Sequence, residues 1–297
     1  MDKNTYLRTI LKLQTLAEGS SELKDLREKR AEVEALLREA FEDASPTIRY
    51  GGSVAKGTLI KESYDLDIIC YFLRDDTTAG ETLEDIFRNV KEALASKYAV
   101  TPKTSSIRLM SPIGADFHID VVPGRFVDDA KSDAFLFQAA GDKKRLKTNF
   151  DVHIAHVKVS GVVDAIRLFK LWKARNRLQV RQFALELLVI KLLDGKSALA
   201  IADQLTAVWT YLRDHENPVT IEDPANPTGN DVSGLLDATV WTTLSFAARA
   251  TLDAIDRNGW ESVFGAVEVP TEAAHTERLQ RAAAASVDKT KPWCTGA

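Results

Sequence analysis

The sequence predicts an α+β protein of two lobes, a mixed sheet covered by helices followed by a helical lobe, with a long helix near the N-terminus. Three observations carry this. Strand-like segments are confined to the first half, the composition turns almost wholly helical from about residue 161, and chain breakers are scarce. The 15 glycines and 9 prolines make 24 of 297 residues, fewer than the usual share of about 12%. The expected division is therefore 1–160 for the sheet lobe and its N-terminal helix, and 161–297 for the helical lobe.

The segment Glu22–Asp43 sets Leu23, Leu26, Val33, Leu36, Leu37 and Phe41 at helical intervals on a charged background, which predicts one long amphipathic helix. Thr47–Tyr50 and Asp65–Phe72 read as strands, the second rich in residues that suit a pleated surface. The helical period returns over Glu81–Ser96. Ile107–Met110 and Asp116–Val122 revert to strand character, with Pro112 and Gly114 marking the turn between them. In the second half, helices are expected over Val162–Ala174, Phe183–Leu193, Ala198–Arg213 and Leu235–Ile255. The run EDPANPTGND, 222–231, interrupts them because its prolines and glycine oppose regular structure. After Pro270 an Ala-rich, polar tail reads as a last helix with a loose end.

Composition narrows the function. A charge of −4 and a pI near 5.8 exclude a protein that coats nucleic acid electrostatically. Two cysteines, Cys70 and Cys294, cannot build a disulfide framework, so a reducing cytoplasm is expected. The start lacks a leader's apolar stretch, and the longest uncharged apolar-rich run, Ala238–Ala248, is far shorter than a bilayer span. A soluble, cytoplasmic protein without membrane partners follows as an expectation.

The chemistry concentrates in GGSVAKGTLIKESYDLDIICYF, residues 51–72. Asp65 and Asp67 stand two apart on a predicted strand, so both carboxylates project from one face about 7 Å apart. Asp120, in ADFHIDVVPG, alternates with Phe117, Ile119 and Val121 and shares its face with Asp116 and His118. Three such carboxylates could hold two divalent cations, Mg2+ or Mn2+, for phosphoryl-transfer chemistry. Gly51, Gly52 and Ser53 form a turn in which the missing Cβ of Gly52 lets backbone approach a phosphate, while Ser53 offers its N–H and hydroxyl as donors.

In this order, a Gly-Ser element, a paired-Asp strand and a third Asp, the residues resemble those of polymerase-β-like nucleotidyltransferases. AIRLFKLWKARN (165–176), RQFALELLVIKLL (181–193) and TIEDPANPTGND (220–231) are similar to the helical half of oligoadenylate synthetases, cGAS and the bacterial CD-NTases. The resemblance spans about residues 45–235, and a CBASS cyclic oligonucleotide synthase is the nearest fit. It implies a polymerase-β-like fold and the joining of NTPs, ATP among them, into a cyclic di- or trinucleotide messenger with release of pyrophosphate in anti-phage signalling. Mg2+ or Mn2+, two ions, would serve, and a regulatory protein or an effector encoded nearby would be a partner.

Carried onto this chain, the resemblance implies that Asp65, Asp67 and Asp120 hold the metals and that Asp120 helps deprotonate the acceptor hydroxyl. It gives Gly52 and Ser53 the donor triphosphate, which Lys170 reaches from the helical half. The spacing also places Arg167, Lys170 and Arg177 near one helical face, which is either a phosphate-facing stripe or ordinary solvated surface. Gln182 and Phe183 match a polar-aromatic pair beside the base, although Phe183 lacks the tyrosine hydroxyl of relatives and reads equally as a packing residue. The cations of GDKKRLK, 141–147, read as a solvated hairpin turn. His153 and His156 are expected on strand or loop, with no metal-ligand role. The rival readings are a nucleotidyltransferase acting on a tRNA, protein or small-molecule acceptor, and an inactive scaffold of the same fold.

Overall fold

A computed structural model describes residues 1–110, 118–140, 143–230 and 232–267. The expected turn at Pro112 and Gly114, the strand start at Asp116, Gly141 of the hairpin, Asp231 and the last helix after Pro270 lie outside these residues. Met1–Phe264 forms one compact unit, and a second unit runs from Gly265 onward.

Two helices open the chain. The first, α1 (Lys3–Leu13), starts at Asp2, whose carboxylate accepts the Asn4 and Thr5 N–H groups at 3.0 and 3.2 Å, a side-chain cap for the donors that a helix start leaves free. The second, α2 (Ser21–Ala40), is capped by Ser20. Then come β1 (Thr47–Tyr50), the short α3 (Gly52–Lys56), β2 (Leu66–Phe72), α4 (Leu83–Ala95), β3 (Ala99–Pro102), β4 (Ile107–Met110), β5 (Ile119–Phe126), β6 (Ala134–Phe137) and β7 (Arg145–Thr148). From α5 (Phe150–Val159) onward the chain is helical: α6 (Val163–Arg175), α7 (Gln182–Leu192), α8 (Ile201–Asp214), a 3-10 turn at Ser233–Leu236, α9 (Ala238–Asn258) and α10 (Glu261–Phe264).

The sheet runs β1-β2-β5-β4-β3, with β6 on the far end of β5 and β7 beyond it. Strands β2 and β5 are parallel while the other pairings are antiparallel, so the sheet is mixed as expected. Side chains alternate across β2, and each face meets its own partners. Leu66, Ile68, Cys70 and Phe72 pack with Leu26, Val33 and Leu37 of α2 and with Ile86, Val90 and Leu94 of α4. Ile69 and Tyr71, on the other side with Asp67, meet Phe126, Leu136 and Phe150. Burying each such large side chain contributes about 1.5–3 kcal/mol, so the register of β2 is strongly fixed.

The helical half closes on an aromatic cluster, in which Trp209 contacts Phe169, Trp172 and Trp260 at ring separations of 5.5, 6.0 and 5.8 Å. Trp172 donates to the Thr251 hydroxyl at 2.8 Å. Trp209 and Trp241 are buried.

Three expectations need correction. Asp65 precedes β2, which begins at Leu66, rather than opening it. His153 and His156 lie on helix α5, not on strand or loop. Arg167, Lys170 and Arg177 do not form one basic stripe. The Arg167 guanidinium instead donates to the Leu11 and Leu59 carbonyls and the Thr15 hydroxyl, while Arg177 lies beyond the end of α6 at φ +53°. The tie from the N-terminus to the helical half is made by α1, which the sequence reading passed over: Lys3 pairs with Asp203 at 2.6 Å, and Asn4 accepts the Ala202 N–H at 3.1 Å.

Candidate active site

One rung of the sheet assembles the site. The Gly51 N–H donates to the Asp67 carbonyl at 2.8 Å, Asp67 is in register with Asp120 on the parallel neighbour, and Asp120 is in register with Arg108 of β4. Adjacent strands lie about 4.8 Å apart, so positions 67, 120 and 108 form a row crossing three strands, with Gly51, just past the end of β1, bonded to its end. Asp65, two residues before Asp67, stands next to this row. His118, whose carbonyl accepts the Leu66 N–H at 2.9 Å, lies near Asp65.

Gly52 opens α3 at φ +50°, and a Cβ built there would lie 1.6 Å from Asp67 Oδ2. The residue is thus glycine because the Asp67 carboxylate lies against its Cα, a sharper constraint than phosphate approach alone. A Cβ on Gly51 would sit 3.3 Å from Asp67 Cβ and Ile69 Cγ1. The Gly-Gly pair therefore lets the start of α3 press onto the strand that carries the acid.

The carboxylates are crowded. Burial pushes Asp67 up to about 6, and the negative charges of Asp120 and Asp65 add to the shift. Burial raises Asp65 as well, partly offset by His118 and reinforced by Asp120. Asp120 is held differently: Arg108 Nε donates to its Oδ1 at 2.9 Å and Arg108 NH2 to its Oδ2 at 2.6 Å. Among the described residues no three carboxylate, imidazole or thiolate groups are gathered as a ready metal cluster, in keeping with both Asp120 oxygens being engaged by Arg108. The donor set still suits a hard divalent cation, since it offers carboxylate oxygens whose negative charges repel one another.

A second, buried polar cluster lies where α3 meets α6 and α7. Lys56 Nζ donates to Glu186 Oε2 at 2.7 Å and the Thr58 hydroxyl to Oε1 at 3.2 Å, the carboxylate being almost wholly buried. Lys170 is 4% exposed. Burial lowers it to about 8, with Glu186 opposing and Lys56 adding to the shift, and it feels Asp65 and Asp67. Lys170 thus reaches toward the acidic row, and Lys173, one turn further along α6, also senses Asp65. Lys56, Glu186 and Arg108 were not singled out from sequence, and the only signal for Lys56 was its place in GGSVAK.

Ser53 follows Gly52 on α3. Phe183 has the His153 ring at 5.1 Å and the Lys56 ammonium at 5.6 Å from its own ring, so packing partners already flank it. Gln182 Nε2 is buried without a hydrogen-bond partner. The 222–230 loop turns around the buried Asp223, which accepts from the Ala225 N–H at 2.9 Å and Asn230 Nδ2 at 2.6 Å and bonds His153 Nε2 at 2.7 Å. Burial alone would raise Asp223, but the His153 and Asn230 bonds hold it below the usual carboxylate range. Asn230 also donates to the Lys147 carbonyl at 2.9 Å and Lys143 Nζ to the Gly229 carbonyl at 2.6 Å. Irregular in backbone, the loop is pinned to α5 and to the β6–β7 hairpin.

No protein-family model matches the chain. It is 24% identical to a cyclic AMP-AMP-AMP synthase of Escherichia coli (strain MS 115-1), over 72% of this chain and 80% of the relative. Among solved structures, E. coli MS115-1 CdnC with ATP superposes with a TM-score of 0.66 at 22% identity, covering 90% of this chain and 98% of that one. The Bradyrhizobium diazoefficiens CD-NTase CdnG in complex with GTP gives 0.67 at 14% identity, covering 94% and 98%. At these identities the likeness to the solved structures is one of fold, over nearly their full length.

Proposed function

We propose that this chain, which has the polymerase-β-like fold of the CD-NTases, is a nucleotidyltransferase that joins NTPs into a cyclic di- or trinucleotide with release of pyrophosphate, in CBASS-type anti-phage signalling. The observation that carries the reading is the in-register pairing of Asp67 and Asp120 on adjacent parallel strands, with Asp65 beside them and Gly52 pressed onto Asp67. That arrangement concentrates negative charge at one end of two neighbouring strands, a cost that bound cations would offset.

The three carboxylates would hold Mg2+ or Mn2+, two ions, which would lower the pKa of the attacking hydroxyl and offset charge on the triphosphate. In the reaction a ribose hydroxyl oxygen of one nucleotide forms a bond to the α-phosphorus of another as the bond to pyrophosphate breaks, the hydroxyl proton passing to Asp120. The tight turn at Gly52 and Ser53 would seat the donor triphosphate. Lys170 would reach it from the helical half, its charge kept available by the nearby acids although burial lowers its pKa. Positioning and electrostatics account for the rate, since no covalent protein intermediate is required. Gln182 would sit beside the base. In this role Phe183 must share its ring with His153 and Lys56, so a base would meet its edge or displace one of them.

The division into a sheet lobe, 1–160, and a helical lobe, from 161, belongs to the same reading, with the substrates between them. So do a cytoplasmic setting and a regulatory protein or effector as partner; no helix among the described residues is long and apolar enough to cross a membrane.

The test is incubation of the purified chain with an equimolar mixture of the four NTPs and Mg2+ or Mn2+, followed by phosphatase treatment and mass spectrometry. A phosphatase-resistant cyclic di- or trinucleotide, lost in an Asp65→Ala/Asp67→Ala variant, is expected. Nucleotide label found only on an added tRNA, protein or small-molecule acceptor would overturn the reading.

A further inference from the structure

We propose that Arg108 is a positioning residue that competes with divalent cations for Asp120, so that bare ions bind weakly and the site fills when a cation arrives already chelated by a triphosphate. The inference rests on the reading of Asp65, Asp67 and Asp120 as cation ligands.

It starts from register. Strands β4 and β5 are antiparallel with Arg108 directly opposite Asp120, and side chains opposed in this way lie on one face about 4.5–5.5 Å apart at Cβ. The guanidinium uses two of its N–H groups on the two carboxylate oxygens, at 2.9 and 2.6 Å. This is the fork-on-carboxylate geometry that makes arginine pairs directional and about twice as strong as neutral hydrogen bonds. The pair is shielded, with 26% of the Arg108 side chain and 14% of that of Asp120 exposed, so water screens it less than a surface pair. Asp65 and Asp67 also act on the guanidinium, which therefore senses the whole acidic row.

A hard divalent ion seeks the same two oxygens. To take them, a hydrated ion must displace the fork or tolerate a like charge about one strand spacing away. A cation–triphosphate complex is net negative, so the guanidinium attracts it. Arg108 thus holds the third carboxylate aimed while ranking the incoming ligands: chelated cation ahead of free cation.

The experiment measures binding rather than turnover, using the full chain and calorimetric titration with Mn2+ alone or with the Mn2+ complex of a non-hydrolysable ATP analogue. Arg108→Gln is expected to bind Mn2+ alone at least about tenfold more tightly than the wild type, and to bind the Mn2+–analogue complex no more tightly. Arg108→Lys, which keeps the charge but loses the fork, is expected to fall between them for Mn2+ alone and covers the case in which the Gln variant does not fold. Affinities for Mn2+ alone that are equal to or weaker than wild type in the variants that fold would overturn the role of Arg108. If the wild type binds neither Mn2+ nor its analogue complex, the carboxylate reading itself fails and takes this proposal with it.

Discussion

Gly52 combines two constraints that are separable in experiment. Its φ of +50° is left-handed, which costs a residue with a side chain roughly 1–2 kcal/mol, and a Cβ there would strike Asp67 Oδ2 at 1.6 Å and Asp67 Cγ at 2.5 Å. Gly195 supplies the comparison: its φ is +70°, yet no atom lies within 4 Å of its would-be Cβ. Gly195→Ala should lose the backbone term alone, a fall in melting temperature of about 2–4 °C for each kcal/mol, with turnover near that of the wild type. Gly52→Ala should lose at least as much stability and also turn Asp67 off its place. Since displacement of a reacting group by about 1 Å can cost on the order of 100-fold in rate, cyclic product formation should fall by about that factor. Thermal melts beside product assays decide the matter, and wild-type turnover in Gly52→Ala would mean that the Asp67 carboxylate does not act from the position found here.

At the scale of elements, α2 is held to the sheet half by more than its apolar stripe. Glu32 is bonded to Lys29 at 2.8 Å within the helix and to Lys97, just past α4, at 2.6 Å. The Lys29 bond first and the Lys97 bond second hold its carboxyl down at about 2; Lys61 does the same for Glu22, also at about 2. A carboxyl depressed in the folded state contributes stability that is fully present above its unfolded value, near 4.5, and is lost as pH falls toward 2. Two and a half units set a ceiling of about 3 kcal/mol per group, but these pairs are partly open to solvent, so about 1 kcal/mol is expected. Glu32→Gln should therefore be about 1 kcal/mol less stable than wild type at pH 7 and indistinguishable from it near pH 2, as followed by urea melts across that range. A deficit constant with pH would reject the ion-pair account. The same helix shows which elements a sequence declares: its apolar spacing predicted 22–43, while the cap at Ser20 starts it one residue earlier and the break at Phe41 ends it at Ala40. Helix α5 was hidden because FDVHIAHVKV sets β-branched residues at near-alternate positions, a strand-like signal. The Asn149 cap, accepting from the Val152 N–H at 3.1 Å, nonetheless starts a helix. Strands β3, β6 and β7 have four residues each and were not read from the sequence, whereas β1 and β4, equally short, were.

Across the whole molecule, the acidic residues were readable and their counter-charges were not. The D-x-D spacing brings Asp65 and Asp67 together, although Asp65 lies just before the strand, and alternation aims Asp120. Arg108 also stood in a predicted strand, but its meeting with Asp120 depends on which strands become neighbours and in what register, and local periodicity is silent on both. Lys56 and Glu186 are 130 positions apart and meet only because the fold lays α3 against α7. This pair links the sheet half to the helical half, and being buried it follows different rules from the pairs of α2. Glu186→Leu leaves Lys56 and the Thr58 hydroxyl without their acceptor, and leaves Lys56 and Lys170 as neighbouring buried cations without the carboxylate between them. Removing one partner of a buried pair costs about 3–5 kcal/mol, whereas replacing both by apolar groups of similar volume is often near neutral. The expected result of urea melts at pH 7 is therefore a loss of that size in Glu186→Leu and recovery of most of it in Lys56→Met/Glu186→Leu. Additive losses in the double variant would show that Lys56 and Glu186 act independently. Recovery would show instead that the charges at this junction are not required for folding, so that the reason for keeping them must be sought in the acidic row that Lys56 and Lys170 adjoin.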